Sequence, residues 1–180
     1  MTSDLVVLAA FLSPVFPSAL WFAAPILLAL LGYAALRDAF TGRVPDLPVL
    51  FALGLTLLFS AYAEGWALTL ERILLAVGAF GLLRLTNALY YFITRRDAFG
   101  MGDVKWTAAA AAAFGLPAVF WAWVFGAWIG LIWMGVRFVV TLVCRGVCAR
   151  GYIHFAPFLM IGLLSKLYGW SLLARLGAWF

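Results

Sequence analysis

The stretch AVFWAWVFGAWIGLIWMGVRFVVTLV, residues 118–143, decides the fold. An almost unbroken apolar run of this length is what a helix needs to cross hydrocarbon about 30 Å thick, which takes roughly 20 residues. The turn-forming Gly115-Leu116-Pro117 precedes it, and a basic loop from Arg145 to Arg150 follows it. Working outward, further runs of this kind cover residues 18–36, 47–62 and 66–93. An Ala-rich apolar helix covers 104–114, and a last span runs from 153 to 167 or beyond. The pattern predicts an all-α polytopic transmembrane bundle of about six spans, forming one membrane-embedded domain over residues 1–180 with no soluble domain. Residues 1–17 have no positive start and carry Pro14 and Pro17, so they read as an N-terminal lead-in or interfacial segment rather than a cleavable signal.

Composition agrees. The chain is 67% hydrophobic and 11% charged, against about 45–50% and about 25% in soluble domains. A soluble fold of 180 residues has no interior large enough for that apolar surface. The formal charge of +5 comes from basic residues scattered singly between apolar runs, which fits positive-inside topology and not nucleic-acid binding. The basic residues Arg37, Arg43, Arg95, Arg96, Lys105, Arg145 and Arg150 fall in the first, third and fifth connections. Glu64, Glu71 and Arg72 fall in the second and fourth. The odd connections are therefore expected in the cytoplasm, with both termini outside. Cys144 and Cys148 define neither a disulfide framework nor a four-cysteine zinc site, and no metal or cofactor is expected.

Only seven acidic residues exist, and an ionisable group at membrane depth is expensive enough to be a functional candidate. Asp4, Glu64 and Glu71 read as solvated ends on the outer side. Asp46 and Asp97 sit in loops with arginines nearby, where solvation or ion pairing explains them. Asp38 and Asp103 each abut an apolar helix, and the topology puts both on one side at similar depth. Two carboxyls brought together share one proton. One can then act as base on a water while the other, protonated, polarises a carbonyl. In Gly100-Met101-Gly102-Asp103 the two glycines give the backbone room to bend and leave a peptide close access, and Asp103 meets the unpaired N–H groups of a helix start. On these residues alone, capping and catalysis both remain open for Asp103.

The longer context Phe99-Gly-Met-Gly-Asp-Val-Lys-Trp106, followed by an Ala-rich helix, resembles the second active-site motif of the type IV prepilin peptidases, membrane aspartic proteases of the GxGD kind. The segment Arg37-Asp-Ala-Phe-Thr-Gly-Arg-Val-Pro-Asp46 is similar to the first motif, an Asp after a span followed by a basic residue and a proline. His154-Phe-Ala-Pro-Phe158 resembles the family's proline-containing last span. The resemblance runs from about residue 18 to residue 165. It implies Asp38 and Asp103 as catalytic aspartates, with Gly100, Gly102, Lys105 and Pro45 supporting the loops or the substrate. Asp46 departs from the Asn usual after the loop proline. No Cys-rich zinc segment lies between the first span and Asp38, so the likeness is to the short peptidase-only branch associated with Flp/Tad-type pili, without methyltransferase activity.

By that resemblance the expected function is removal of the short basic leader of a prepilin or pseudopilin at the cytoplasmic face of a bacterial inner membrane. The expected partners are that protein substrate and the lipid bilayer. Lys105 reads either as orienting a substrate carboxylate or carbonyl, or as a positive-inside anchor. His154 reads as an interfacial or hydrogen-bonded histidine. Gly126-x-x-x-Gly130 permits close helix approach, Asn87 and Thr86 suit interhelical hydrogen bonding, and Arg84 needs a partner or a path to water. The competing functions are a proton- or cation-coupled transporter using the same carboxylates and a non-enzymatic membrane component.

Overall fold

The computed structural model describes residues 23–143 and 154–177. The lead-in with Asp4, the basic loop with Arg145 and Arg150, and both cysteines lie outside the described residues. Among the described residues five helices follow one another: α1 (Ala24–Thr41), α2 (Asp46–Ala63), α3 (Trp66–Thr94), α4 (Met101–Val143) and α5 (Ala156–Gly177). The first four are long and apolar enough to span a membrane, and large apolar side chains such as Phe51, Leu74, Trp128 and Ile132 cover their outer faces. The chain is a helical membrane bundle, as its hydropathy requires.

Helix α4 is two helices. Gly115 breaks it with φ 80° and ψ 165°, a backbone region favouring glycine, and Pro117 follows. Trp123 Nε1 donates to Thr107 Oγ1 at 3.2 Å, and these residues stand equally far from Gly115 on either side. The chain therefore doubles back at Gly115, as Gly115-Leu116-Pro117 implies in the sequence. We call residues 101–114 α4a and residues 116–143 α4b. With this hairpin opened out, the bundle has six helical segments.

Segment α4a forms the centre. Every residue from Thr107 to Phe114 is buried, and its alanines let neighbouring helices approach closely. Trp106 is fully buried and donates Nε1 to the carbonyl of Leu31, fixing α4a to α1. At about 21 Å, fourteen residues fall short of the hydrocarbon thickness. Its last carbonyls, orphaned by the break, are met by Arg72, whose Nη1 donates to Ala112 O at 2.8 Å and Ala113 O at 3.4 Å. Arg72 also forms a two-pronged ion pair with Glu64 at 3.0 Å and donates to Ser60. The reading of Glu64 as a solvated end is thus corrected: its side chain is 5% exposed and that of Arg72 10%. The cause is the carbonyl end of α4a, which calls for a buried cation, and the cation for an acid. Glu71 stays exposed.

Helices α4b and α5 pack tightly. A Cβ on Gly162 would stand 2.5 Å from Ala122 O, and one on Gly126 3.0 Å from Phe158 O, so these glycines permit the crossing. Gly130 faces Phe158 and Phe155 at van der Waals distance, in keeping with the expected helix approach.

The first span runs past its expected end. A charge ends an apolar run but not a helix: α1 continues through Arg37 and Asp38 to Thr41, whose Oγ1 bonds Arg37 O at 2.7 Å. Gly42 closes it with φ 68°, its N–H donating to Asp38 O. The connection left between the apolar runs 18–36 and 47–62 shrinks to residues 42–45.

Candidate active site

Three helix ends meet at one end of the bundle. Asp38 stands in the last turn of α1 and is buried; Asp103 stands in the first turn of α4a; Ala156 opens α5. The start of α5 at Ala156 adjoins both carboxyl groups, and Asp103 feels the charge of Asp38. Asp38 and Asp103, which the sequence puts on one side at similar depth, line the same cavity. His154 joins them, its Nδ1 4.0 Å from Asp38 Oδ1. Gly42 makes room for that imidazole, since a Cβ there would stand 2.8 Å from His154 Cε1.

Helix α4 starts at Met101, so Asp103 is its third residue and not its cap. The carboxylate curls back on Gly100, where a Cβ would meet Oδ2 at 3.2 Å. Asp103 thus holds the position of a capping box's reach-back residue, and the same carboxylate lines the cavity with Asp38.

The glycines serve the site differently from the expected bend. Positive φ occurs at Gly42, Gly65 and Gly115, and at neither Gly100 nor Gly102. Gly102 is helical, and a Cβ there would stand 2.5 Å from Val44 Cγ2 and 2.8 Å from Val44 Cβ. Its missing side chain lets the 42–45 loop close onto the start of α4a. Pro45 caps α2 at φ −70° and ψ 134° and does not line the cavity. Lys105 pairs with Asp46 at 2.7 Å, both partly exposed, tying the start of α2 to that of α4a. This is the ion pairing expected for Asp46, and it occupies the ammonium of Lys105.

Asn87 does more than join two helices. Its Oδ1 accepts from the N–H of Ala98 at 2.7 Å and of Phe99 at 3.2 Å, and its Nδ2 donates to Asp97 Oδ1 at 3.1 Å. One buried side chain thus holds the segment leading into Gly100-Met-Gly-Asp103. An asparagine in an apolar span is the sequence signal for such a role; its target cannot be read from the sequence. Asp97 bonds Asn87, not the arginines expected beside it.

These bonds also set the depth of the pair. Residues 98 and 99 lie level with Asn87, seven residues before the end of α3 at Thr94, so the chain after α3 folds back along it by about 10 Å. From the level of Thr107, α4b runs twenty residues to Val143 while α4a runs back only six to Met101, a difference of about 20 Å. Asp38 and Asp103 end their own helices yet sit well inside the ends of α3 and α4b. They line an open cavity of about 1180 Å³, walled by Gly42, Val44, Arg84, Asn87, Trp123 and the Ala127–Met134 face of α4b, among others. Among the described residues no group of three or more His, Cys, Asp or Glu stands ready to hold a metal ion.

A family model described as the type IV leader peptidase family matches residues 25–135, which spans every helix end at the site except that of α5. No curated protein and no solved structure matches the chain.

Proposed function

Because the chain belongs to the type IV leader peptidase family, we propose that it is an aspartic endopeptidase removing the leader of prepilin- or pseudopilin-type substrates, with Asp38 and Asp103 as its catalytic pair. The observation that carries this reading is that both carboxyls line one cavity, with the start of α5 beside them. Two carboxyls so placed hold one proton between them. The ionised member takes a proton from a water, and the resulting hydroxide adds to the scissile carbonyl carbon. The protonated member gives its proton to the carbonyl oxygen as the tetrahedral intermediate forms. Collapse breaks the C–N bond: the proton taken from water goes to the departing amine, and one hydroxyl of the intermediate returns its proton to the carboxylate that gave one, leaving the product acid and a pair that again holds one proton. Atoms and charge balance without a covalent enzyme intermediate.

The surroundings suit an apolar protein substrate. The α4b wall offers apolar contact, while the open side admits a peptide. Positive-inside reasoning orients the cavity toward the cytoplasm of a bacterial inner membrane, where a basic leader would remain in water. The test is cleavage of a co-expressed prepilin in membranes by wild type, Asp38→Asn and Asp103→Asn. Both substitutions keep side-chain size and remove the shared proton, and a loss of 10²-fold or more is expected for each, about the contribution of positioned acid–base groups. Processing that survives in both well-expressed variants overturns the assignment.

A further inference from the structure

Asp38 and Asp103 are alike as carboxyls, but their surroundings differ. The chain holds a single histidine, and it lines this cavity beside one member of the pair. Among the described residues, Asp38 is the acid that comes within 4.0 Å of an imidazole nitrogen. At that distance the two do not share a hydrogen bond, so His154 acts on Asp38 through charge. The side chain of His154 is 36% exposed and that of Asp38 8%. The ring can therefore exchange protons with water, while the carboxyl beside it, out of water, feels the result strongly.

The ring is held in place from two sides. Gly42 leaves the space in which a Cβ would stand 2.8 Å from Cε1. The next residue, Phe155, packs on Trp123 with ring centroids 5.1 Å apart, and its carbonyl accepts the amides of Phe158 and Leu159 as α5 begins. The other charged groups around the cavity are spread over several elements. The 42–45 loop contributes Arg43, which is exposed, and Asp46 of α2 pairs with Lys105 of α4a. Helix α3 contributes Arg84, and Asp97 after it bonds Asn87, while the Ala127–Met134 face of α4b contributes none. Asp38 feels the charge of His154, and Asp103 that of Asp38.

We infer that His154 is a positioning residue that breaks the symmetry of the pair: its imidazolium holds the negative charge on Asp38 and so leaves the shared proton on Asp103. This rests on the leader-peptidase reading above and divides the labour within it. Asp38 is the base that takes a proton from water, and Asp103 is the acid that gives one to the carbonyl oxygen. On collapse Asp38 passes its proton to the amine and Asp103 recovers one from the intermediate, so each ends as it began. An imidazole carries charge in the lower part of the range from about pH 5 to 8, so the bias is switched on there and fades above it.

The experiment uses full-length enzyme in proteoliposomes and a prepilin reporter. kcat/KM is measured from about pH 5.5 to about pH 8.5, across the range in which an imidazole changes charge, for wild type, His154→Asn and His154→Lys. Wild type is expected to exceed His154→Asn about tenfold at the acid end, the scale on which a neighbouring opposite charge acts on a carboxyl, and to match it at the alkaline end. His154→Lys, charged throughout, should keep its advantage over His154→Asn at both ends. A ratio constant with pH, with Lys no better than Asn, means that the ring only fills the space beside Gly42. That result overturns the inference and leaves the peptidase reading standing.

A second measurement needs no turnover. An epoxide probe esterifies an ionised carboxylate, and peptide mass spectrometry reports which aspartate carries the label. At about pH 6, where an imidazole is still largely charged, wild type should carry it mainly on Asp38, although Asp103 is the more exposed of the two. His154→Asn should lower the Asp38 to Asp103 ratio about tenfold. Label favouring Asp103 in wild type overturns the inference even where neither variant accumulates. Failure of wild type to cut any reporter defeats the peptidase reading, and with it the roles of base and acid, whichever aspartate the epoxide marks.

Discussion

Gly102→Ala puts the geometry of the site to a direct test. The added Cβ would stand 2.5 Å from Val44 Cγ2 and 2.8 Å from Val44 Cβ, so ordinary contact requires the 42–45 loop to retreat by about 1 Å. That loop is continuous with the last turn of α1, which carries Asp38, and Gly42 within it packs on His154. The displacement therefore reaches the carboxyl pair directly. Overpacking of this kind costs about 1–3 kcal/mol in stability, while a 1 Å misplacement of reacting groups costs about 10²-fold in rate. The expected outcome is an enzyme that still accumulates in the membrane with its melting temperature lowered by a few degrees, but cleaves prepilin about 10²-fold more slowly. Val44→Gly removes both close atoms, and the Val44 amide would remain at 3.5 Å from the new Cβ. The double variant should recover at least about tenfold of the lost rate, measured by initial rates in detergent-solubilised membranes. Full activity in Gly102→Ala, or no recovery in the double variant despite normal protein levels, would refute the close-approach account.

Other expectations follow from the same geometry. Asn87→Leu should lower kcat by about tenfold or more with a smaller effect on melting, since it frees the backbone before Gly100. Asn87→Asp sets a carboxylate against Asp97, so adding Asp97→Asn should recover part of the loss, measured by the same assay. Arg72→Met strands Glu64 and two helix-end carbonyls, and is expected to destabilise the bundle by about 3–5 kcal/mol in thermal or denaturant unfolding, with partial relief by Glu64→Gln. Lys105→Ala breaks only a partly exposed ion pair worth about 0–1 kcal/mol, so its effect on cleavage should stay within about fivefold; a larger loss would mean that the ammonium has a second duty.

The sequence carried the fold where local chemistry is decisive. Hydropathy marks the apolar helices, and Gly115-Leu116-Pro117 marks the reversal because glycine and proline each constrain the backbone there. Gly100-Met-Gly-Asp103 pointed to one half of the site through a motif, and Arg37-Asp38 to the other. What stayed hidden depends on partners far along the chain. Nothing local says that Arg72 must reach carbonyls forty residues on, and so Glu64 read as solvated. Nothing local says that Asn87 binds the segment before Gly100, or that Gly102 is small because Val44 leans on it. Asp38 read as a loop residue because hydropathy measures burial in lipid, whereas the helix ends where Gly42 allows it to.

The descent of the chain along α3 works as a ruler. The carboxyl pair lies at least about 10 Å inside the end of α3, and extended peptide advances about 3.3 Å per residue. Under the peptidase reading, a bond cut at that depth needs at least three leader residues merely to regain the rim, before any charged side chain can reach water. Short leaders would drag their positive charge down among apolar walls, and longer ones would hang free. The recessed position of the pair would thus gauge leader length by desolvation, independently of any contact with leader side chains.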